Sequence, residues 1–547
     1  MALPTHFLTL LYLSNQISFL SHTLEMENFE ILFAIVTCSL FCCLWWRHHS
    51  TTSRRQKTLP PGPPGWPIVG NLFQVILQKR QFMHVVGDLR KKYGPIFTLQ
   101  MGQRTLVIVT SSDLIHEALV QKGSNFASRP PDSPIRLLFS VGKCAINSAE
   151  YGPLWRTLRR NFVTELINPT RIRQCSWIRK WAIEEHMKTL ESENSQHGFI
   201  EVMSTCRLTI CSILICLCFG ARFSKEKLKN IESIVKDVMI ISMPKLPDLL
   251  PVLLPLFRRQ LVAAKELRKR QMECMVPIIR ARREFLEKSE DNMKTPTVND
   301  LKVDDLEMVS PPGAAYIDSL YNLQPPSRGM LGEEELVTLV TEVILAGTDT
   351  SATTIEWAMF HLVTNQEIQE KLYKEIVGKV GVNGVIEESD VENMEYLDAV
   401  VKETFRRRPP GHFTLSHAAT QPTELGGYVI PTGVNVEFYT AWLTEDPDAW
   451  EDPEEFRPER FLEGGEGASV DITGMKGVKM LPFGTGRRIC PAWSLGTLHI
   501  NMMLARMIHA FKWVPVPGNP PDPTETFVFT VVMKNPLKAM IMPRHKS

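Results

Sequence analysis

Apolar positions along this chain first run unbroken, then alternate, then recur every three to four residues. The unbroken run is FEILFAIVTCSLFCCLWW, Phe29 to Trp46, which at helical rise spans about 27 Å, close to the hydrocarbon thickness of a bilayer. Glu30 sits at its edge, Trp45 and Trp46 suit the membrane interface, and Arg47, His48, His49, Arg54, Arg55 and Lys57 form a basic flank of the kind that stays cytoplasmic. Residues 26–47 are therefore expected to be a single transmembrane anchor with the rest of the chain facing the cytosol. No small-residue cleavage site precedes the flank, which argues against a removed signal peptide. Residues 1–25 hold only a short apolar patch, Phe7 to Leu13, and have no assigned role. Met26 offers an alternative start. Next, LPPGPPGWPIVGN from Leu59 to Asn71 forbids helix, so residues 48–71 read as a basic, then proline-rich and stiff hinge.

Alternation appears in PIFTLQMGQRTLVIVT, Pro95 to Thr110, which predicts a small sheet with a turn at Gly102 and Gln103. Three-to-four spacing predicts helices over Asp113 to Gln121, Trp155 to Leu166, Glu226 to Met243, Leu261 to Lys288, Glu333 to Thr364 and Glu367 to Val380. Between them, the polar stretch Ser289 to Gly329 reads as a flexible surface loop, and Gln421 to Phe438 as short strands. The fold class expected is mainly α with small β-sheets (α+β), one large domain over 72–547. With 44 % apolar and 22 % charged residues the chain can bury a sizeable core, and a net charge of +1 argues against a polybasic nucleic-acid binder. Eleven cysteines without zinc-type pairs read as free thiols in a reducing compartment.

One of these cysteines stands apart. Phe483 to Ala492 reads FGTGRRICPA, and apolar residues recur from Leu495 through Leu498, Met502 and Ala505, so Cys490 lies just before a helix. A helix start carries partial positive charge and free N–H groups, which favour thiolate over thiol. Gly484 and Gly486 let the backbone pass close to a flat cofactor, Phe483 can cover the sulfur, and Arg488 can reach an acidic substituent. The plain alternative is a structural cysteine buried in a turn. Elsewhere, Glu403 and Arg406 in KETFRRRPP share a helical face, with Arg460 in FRPERF as a third member. AGTDTS, Ala346 to Ser351, is poor helix material at the centre of the longest predicted helix and suggests a local kink with a polar groove. Trp155 and Arg159 in WRTLRR lie four apart on one face, a pattern that an ordinary amphipathic helix would also produce.

These residues resemble the cytochrome P450 signature F-x-x-G-x-R-x-C-x-G, with Ala492 in place of the last glycine. The resemblance covers Leu59 to Pro543 and implies a cytochrome P450 fold behind the membrane helix. It also implies haem b (iron protoporphyrin IX), with Cys490 as axial metal ligand. Trp155, Arg159, His417 and Arg488 would contact haem propionates, with Phe483 and Gly486 beside the sulfur. Asp349 and Thr350 would be the catalytic pair for proton delivery to dioxygen, and Glu403, Arg406 and Arg460 a structural trio. The implied activity is monooxygenation, fed from NADPH by a separate NADPH-cytochrome P450 reductase, for which Arg156, Arg160, Arg487 and Lys476 could form a docking patch. The implied place is the endoplasmic reticulum membrane.

By the same analogy, substrate-facing segments are Ser133 to Asn147, Ser204 to Cys218, Met239 to Leu250, Glu342 to Thr350, Gly411 to Leu415 and Phe527 to Val532, mostly apolar. SPPGAAYIDSLYNLQPP, FTLSHAATQPTELGGYVIPTGVNVEF and DITGMKGVKMLPFGTGRRICP resemble the plant subgroup that hydroxylates or epoxidises fatty acids in-chain during cutin formation. Arg136 could meet the substrate carboxylate. The alternatives are a monooxygenase of another lipophilic or phenolic plant metabolite, a reductase-independent hydroperoxide isomerase or dehydratase, and a non-catalytic haem binder.

Overall fold

The computed structural model describes residues 59–78, 80–291, 306–326 and 328–545, with Ser39 alone before them. Apart from Ser39, the expected anchor, its basic flank and residues 1–25 lie outside the described residues. The longer helices are α1 (Phe82–Tyr93), α2 (Pro153–Glu165), α3 (Ser176–His197), α4 (Val202–Phe219), α5 (Lys225–Ile241), α6 (Arg258–Asp291), α7 (Glu333–Thr364), α8 (Gln366–Val380), α9 (Glu395–Arg407) and α10 (Trp493–Ala510). Amphipathic spacing anticipated α2, α5, α6, α7 and α8 to within a few residues. Asp113 to Gln121 divides into an α-turn, Ser112–His116, and a π-turn, Glu117–Gln121.

Periodicity did not reveal α3 or α4, for opposite reasons. The buried face of α3 includes Arg179 and His186, held by Glu388 at 2.7 Å and by the Thr209 hydroxyl at 2.9 Å, so no clean apolar stripe exists. Helix α4 is apolar on nearly every side because α3 and α7 enclose it, and a helix buried all round shows no period. Among the described residues α4 alone is long and apolar enough to cross a membrane, yet 72 % of it is buried inside the fold, which makes it a core helix.

Ile96–Met101 and Arg104–Val109 pair antiparallel about the predicted turn. Arg104–Val109 runs parallel to Asn435–Phe438, which in turn pairs antiparallel with His417–Ala418. The proline-rich segment is no free spacer: the Thr98 amide donates to the Pro61 carbonyl at 2.8 Å, and the Asn71 amide group donates to Pro63 and Pro64. Lacking donors of their own, prolines still accept through their carbonyls, which fixes the segment on the sheet.

Of the loop expected over Ser289 to Gly329, residues 289–291 end α6, and the described residues from 306 include regular structure. Leu306–Met308 pairs with Ala221–Phe223, Tyr316–Leu320 forms a helical turn, and Arg282 meets Asp318 at 2.7 Å with both side chains buried. The polar composition concealed this because the charge of Asp318 is neutralised inside the fold by Arg282, which comes from α6 outside the stretch. Residues 292–305 lie outside the described residues.

Candidate active site

The Cys490 loop is closed by its own backbone. The Cys490 amide donates to the Phe483 carbonyl at 2.8 Å, and Gly484 and Gly486 turn the chain with φ of +67° and +70°. Gly486 also passes so close to the Leu119 carbonyl that a Cβ would lie 1.8 Å from its oxygen, so no other residue fits without moving backbone. Phe483 sets its ring edge against Phe405 of α9, centroids 5.1 Å apart. Helix α10 begins at Trp493, after Cys490 as expected. The electrostatics differ from the expectation: burial pushes the thiol up, and the Ala492 amide and Arg159 only partly oppose it. With the helix starting three residues later, one amide rather than a full helix end faces the sulfur. A bound metal cation reverses that balance, because coordination deprotonates a thiol outright.

Beside this loop the structure gathers Trp155, Arg159 and Arg488. Arg159 donates to the Ile489 carbonyl at 2.6 Å, and the Arg488 guanidinium lies 4.6 Å over the Trp155 ring. Arg488 also donates to the carbonyls of Ala127 (2.7 Å), Ile146 (3.0 Å) and Ala149 (2.6 Å), and burial lowers it to about 9. His417 is buried with Nδ1 2.7 Å from the Phe126 carbonyl, and burial lowers it to about 3. Its proton therefore sits on Nδ1 and points at backbone, leaving Nε2 as an acceptor. Arg129, which the sequence did not single out, donates to the carbonyls of Asn147, Leu415 and Ser416. The Trp155 indole N–H is buried without a partner.

Helix α7 runs as one continuous helix through AGTDTS, from Glu333 to Thr364. The Thr350 hydroxyl donates to the Ala346 carbonyl at 2.7 Å and the Thr354 hydroxyl to the Thr350 carbonyl, while the Thr348 hydroxyl is buried without a partner. One face of this stretch is open, with Ala346 exposed and Thr350 half-buried. Gly347, next round the helix, faces α4, where a Cβ would lie 2.7 Å from Leu214. Asp349 is buried and paired with Arg207 of α4, which also pairs with Glu232 of α5. Burial raises the Asp349 carboxyl, and Arg207 pulls the other way. Neither Arg207 nor Glu232 was legible, since their meeting depends on how three helices pack.

Glu403, Arg406 and Arg460 meet in full burial. Arg406 forks onto both Glu403 oxygens at 2.7 and 2.8 Å, and Arg460 Nε lies 3.5 Å from Glu403 Oε1. The remaining Arg406 donors take the carbonyls of Thr444, Pro453 and Glu455.

Two substrate-side expectations need correction. Ser204 to Cys218 lies in α4, inside the main core, and its buried cysteines are packing residues; all eight described cysteines are free. Arg136 pairs with Asp132 at 3.1 Å, so its charge is already answered. The other walls keep apolar side chains at partial exposure, including Leu137, Leu138, Ile146, Phe413 and Leu415. Arg156, Arg160, Arg487 and Lys476 are all exposed.

Comparison with known proteins agrees with this geometry. A family model described as Cytochrome P450 matches residues 60–542. Cytochrome P450 89A9 of Arabidopsis thaliana is 36 % identical, over 89 % of this chain and 94 % of its own length. Flavonoid 3'-monooxygenase of Petunia hybrida is 30 % identical, over 89 % and 92 %. A solved zebra fish cytochrome P450 with progesterone superposes with a TM-score of 0.66 at 24 % identity, covering 85 % of this chain and all of that one, a likeness of fold. The residues present fit a haem: a thiol on a glycine loop, an unpartnered buried indole donor beside two guanidinium groups, and an open helix face.

Proposed function

Because this chain belongs to the cytochrome P450 family and is a haem-dependent monooxygenase, we propose that it inserts one oxygen atom from O2 into an apolar plant metabolite, with Cys490 holding the iron. Bound there, haem supplies the iron at which dioxygen is activated, with a thiolate ligand donating electron density. The observation that carries the assignment is the unpartnered Trp155 N–H beside Arg159 and Arg488, next to the Cys490 loop. In this reading Trp155 Nε1, Arg159 and Arg488 donate to the haem propionates, His417 joins them where a protonated propionate donates to its Nε2, and Gly486 and Phe483 shape the sulfur side. Thr350 Oγ1 stands on the open face of α7, where it can exchange the Ala346 carbonyl for an oxygen species and pass it a proton. Asp349 resupplies protons once Arg207 turns towards Glu232.

Members of this family draw electrons from a redox partner and act on hydrophobic substrates. The partner proposed here is NADPH-cytochrome P450 reductase, received by Arg156, Arg160, Arg487 and Lys476, an electrostatic match to an acidic flavodomain. The proposed place is the endoplasmic reticulum membrane, anchored by residues 26–47 with the catalytic domain in the cytosol. Two segments that share an apolar cluster support a membrane-facing side: Trp66, Ile68 and Leu77 from one, and Val252, Leu254 and Leu256 from the other, are all exposed. Long-chain fatty acids attacked in-chain, as in cutin formation, are the proposed substrate class. That choice rests on the sequence resemblance and the apolar walls, without Arg136 as a carboxylate anchor.

Reduced protein with carbon monoxide is expected to give the Soret band that names the family, and Cys490→Ala is expected to abolish it. Substrate-induced spin-shift spectra across fatty acids and phenolics then test the substrate class: response to phenolics alone displaces the fatty acid reading. Turnover of a fatty acid hydroperoxide without NADPH would overturn the monooxygenase assignment in favour of an isomerase or dehydratase.

A further inference from the structure

Glu342 sits on α7 two turns before Thr350, about 12 Å along the helix. Its carboxylate accepts from two consecutive backbone amides, Ile146 at 2.8 Å and Asn147 at 2.6 Å. The carbonyls of the same two residues are also taken: Ile146 by Arg488 at 3.0 Å and Asn147 by Arg129 at 2.7 Å. One further turn back on α7, the Thr338 hydroxyl donates to the Phe139 carbonyl at 3.0 Å. Within the segment from Phe139 to Asn147, the amides of Ile146 and Asn147 and the Phe139 carbonyl are thus tied to α7, the Ile146 carbonyl to the Cys490 loop and the Asn147 carbonyl to Arg129. Charged groups meet on a strand of backbone that has no regular structure of its own, and two N–H groups on one carboxylate make a charge-assisted pair.

We propose that Glu342 is a positioning residue for substrate: it pins Ile146 and Asn147 against α7, and so sets the apolar wall that Ile146 presents beside the open face at Ala346 and Thr350. The inference rests on the monooxygenase reading above. Glu342 touches neither the sulfur nor Thr350, so it acts through the segment that it holds. Arg488 makes the arrangement reciprocal, because the guanidinium two residues from Cys490 holds the carbonyl of the peptide joining Ile146 to Asn147, whose N–H Glu342 holds from the other side. Burial raises the Glu342 carboxyl to about 7, opposed by the two amides and then by Arg488 and Arg129. A carboxylate kept there despite that desolvation is consistent with a task beyond surface solubility.

The test uses ferric holoenzyme and two nitrogen ligands of haem iron followed by the Soret shift. Imidazole is too small to reach the wall, whereas 4-phenylimidazole carries a ring that must lie against it. Glu342→Ala is expected to weaken 4-phenylimidazole about tenfold and Glu342→Gln about threefold, while imidazole stays within about twofold for both. Hydrogen exchange at the Ile146 and Asn147 amides should rise in both variants. Unchanged 4-phenylimidazole affinity overturns the proposal whatever the exchange shows, and so does equal weakening of both ligands. Should Glu342→Ala lose haem, the nearly isosteric Gln variant decides; loss of haem from both assigns Glu342 to the scaffold and also overturns it. A wild-type protein without the carbon monoxide band defeats the monooxygenase reading instead, so the two failures are distinct.

Discussion

Trp155 shows how one atom can report an absent partner. Leaving a buried donor unpaired costs roughly 1–3 kcal/mol, and the fold carries that cost at a position beside two guanidinium groups. Trp155→Phe removes the donor and keeps a smaller aromatic ring under Arg488, so relief of the unpaired donor offsets lost packing and the haem-free protein should stay near wild-type stability, while haem dissociates faster from the holoenzyme. Parallel urea melts of the haem-free protein and haem transfer to apomyoglobin measure the two effects. Equal haem release from both proteins would remove Trp155 from the cofactor site. Residue types in Phe483 to Ala492 announced the sulfur and its glycines, because those needs are local. The partners of Arg488 and Asp349 were not announced, since Ala127, Ile146 and Ala149 for one, and Arg207 for the other, arrive from distant segments.

Helix α9 delivers Glu403 and Arg406 one turn apart, and the 3₁₀ turn Pro458–Phe461 delivers Arg460. Removing one member of such a buried set typically costs roughly 3–5 kcal/mol, because the others remain charged and dry. Glu403→Gln and Arg406→Lys should each destabilise the fold by that order, read as a lower urea midpoint, and reduce haem content. Lysine fares no better despite its charge, because it cannot serve Glu403 and the carbonyls of Thr444, Pro453 and Glu455 together. The ion pair of Arg282 with Asp318 ties the end of α6 to the turn at Tyr316–Leu320 in the same way, so Asp318→Asn should destabilise by about 3 kcal/mol and speed proteolysis between residues 306 and 326. Amphipathic elements were legible because a stripe of apolar residues is a local signal. Helices α3 and α4 were not, because one hides its polar residues in pairs and the other is buried on all sides.

For the molecule as a whole, buried ionisable groups set how stability depends on pH. Burial lowers His186 to about 4, His499 to about 3, and His361 well below its ordinary value. Their stabilising contribution is present above the unfolded value near 6.5 and is lost as pH falls towards the folded values. Burial raises Glu342 to about 7 and Glu356 to about 8, so their contribution is present below the unfolded value and is lost as pH rises through 7 and 8. With His417, also lowered to about 3, four strongly shifted histidines oppose the two glutamates below pH 6.5, and of these groups only the glutamates act above it, so the urea midpoint should peak near pH 6.5 and fall on both sides. A midpoint that rises steadily from pH 6 to 8 would contradict this account. The sequence by itself determined the fold class, most of the helices, the glycine-framed cysteine and the chemistry that such a sulfur serves, because periodicity and motif spacing act over a few residues. Tertiary structure alone decided that Ser204 to Cys218 is core, that Arg136 is already paired, that part of the polar stretch after α6 is ordered, and that Glu342 grips Ile146 and Asn147. Each of these depends on which distant groups share a buried space, where an unpaired charge or donor is too costly to leave and its partner can come from anywhere in the chain.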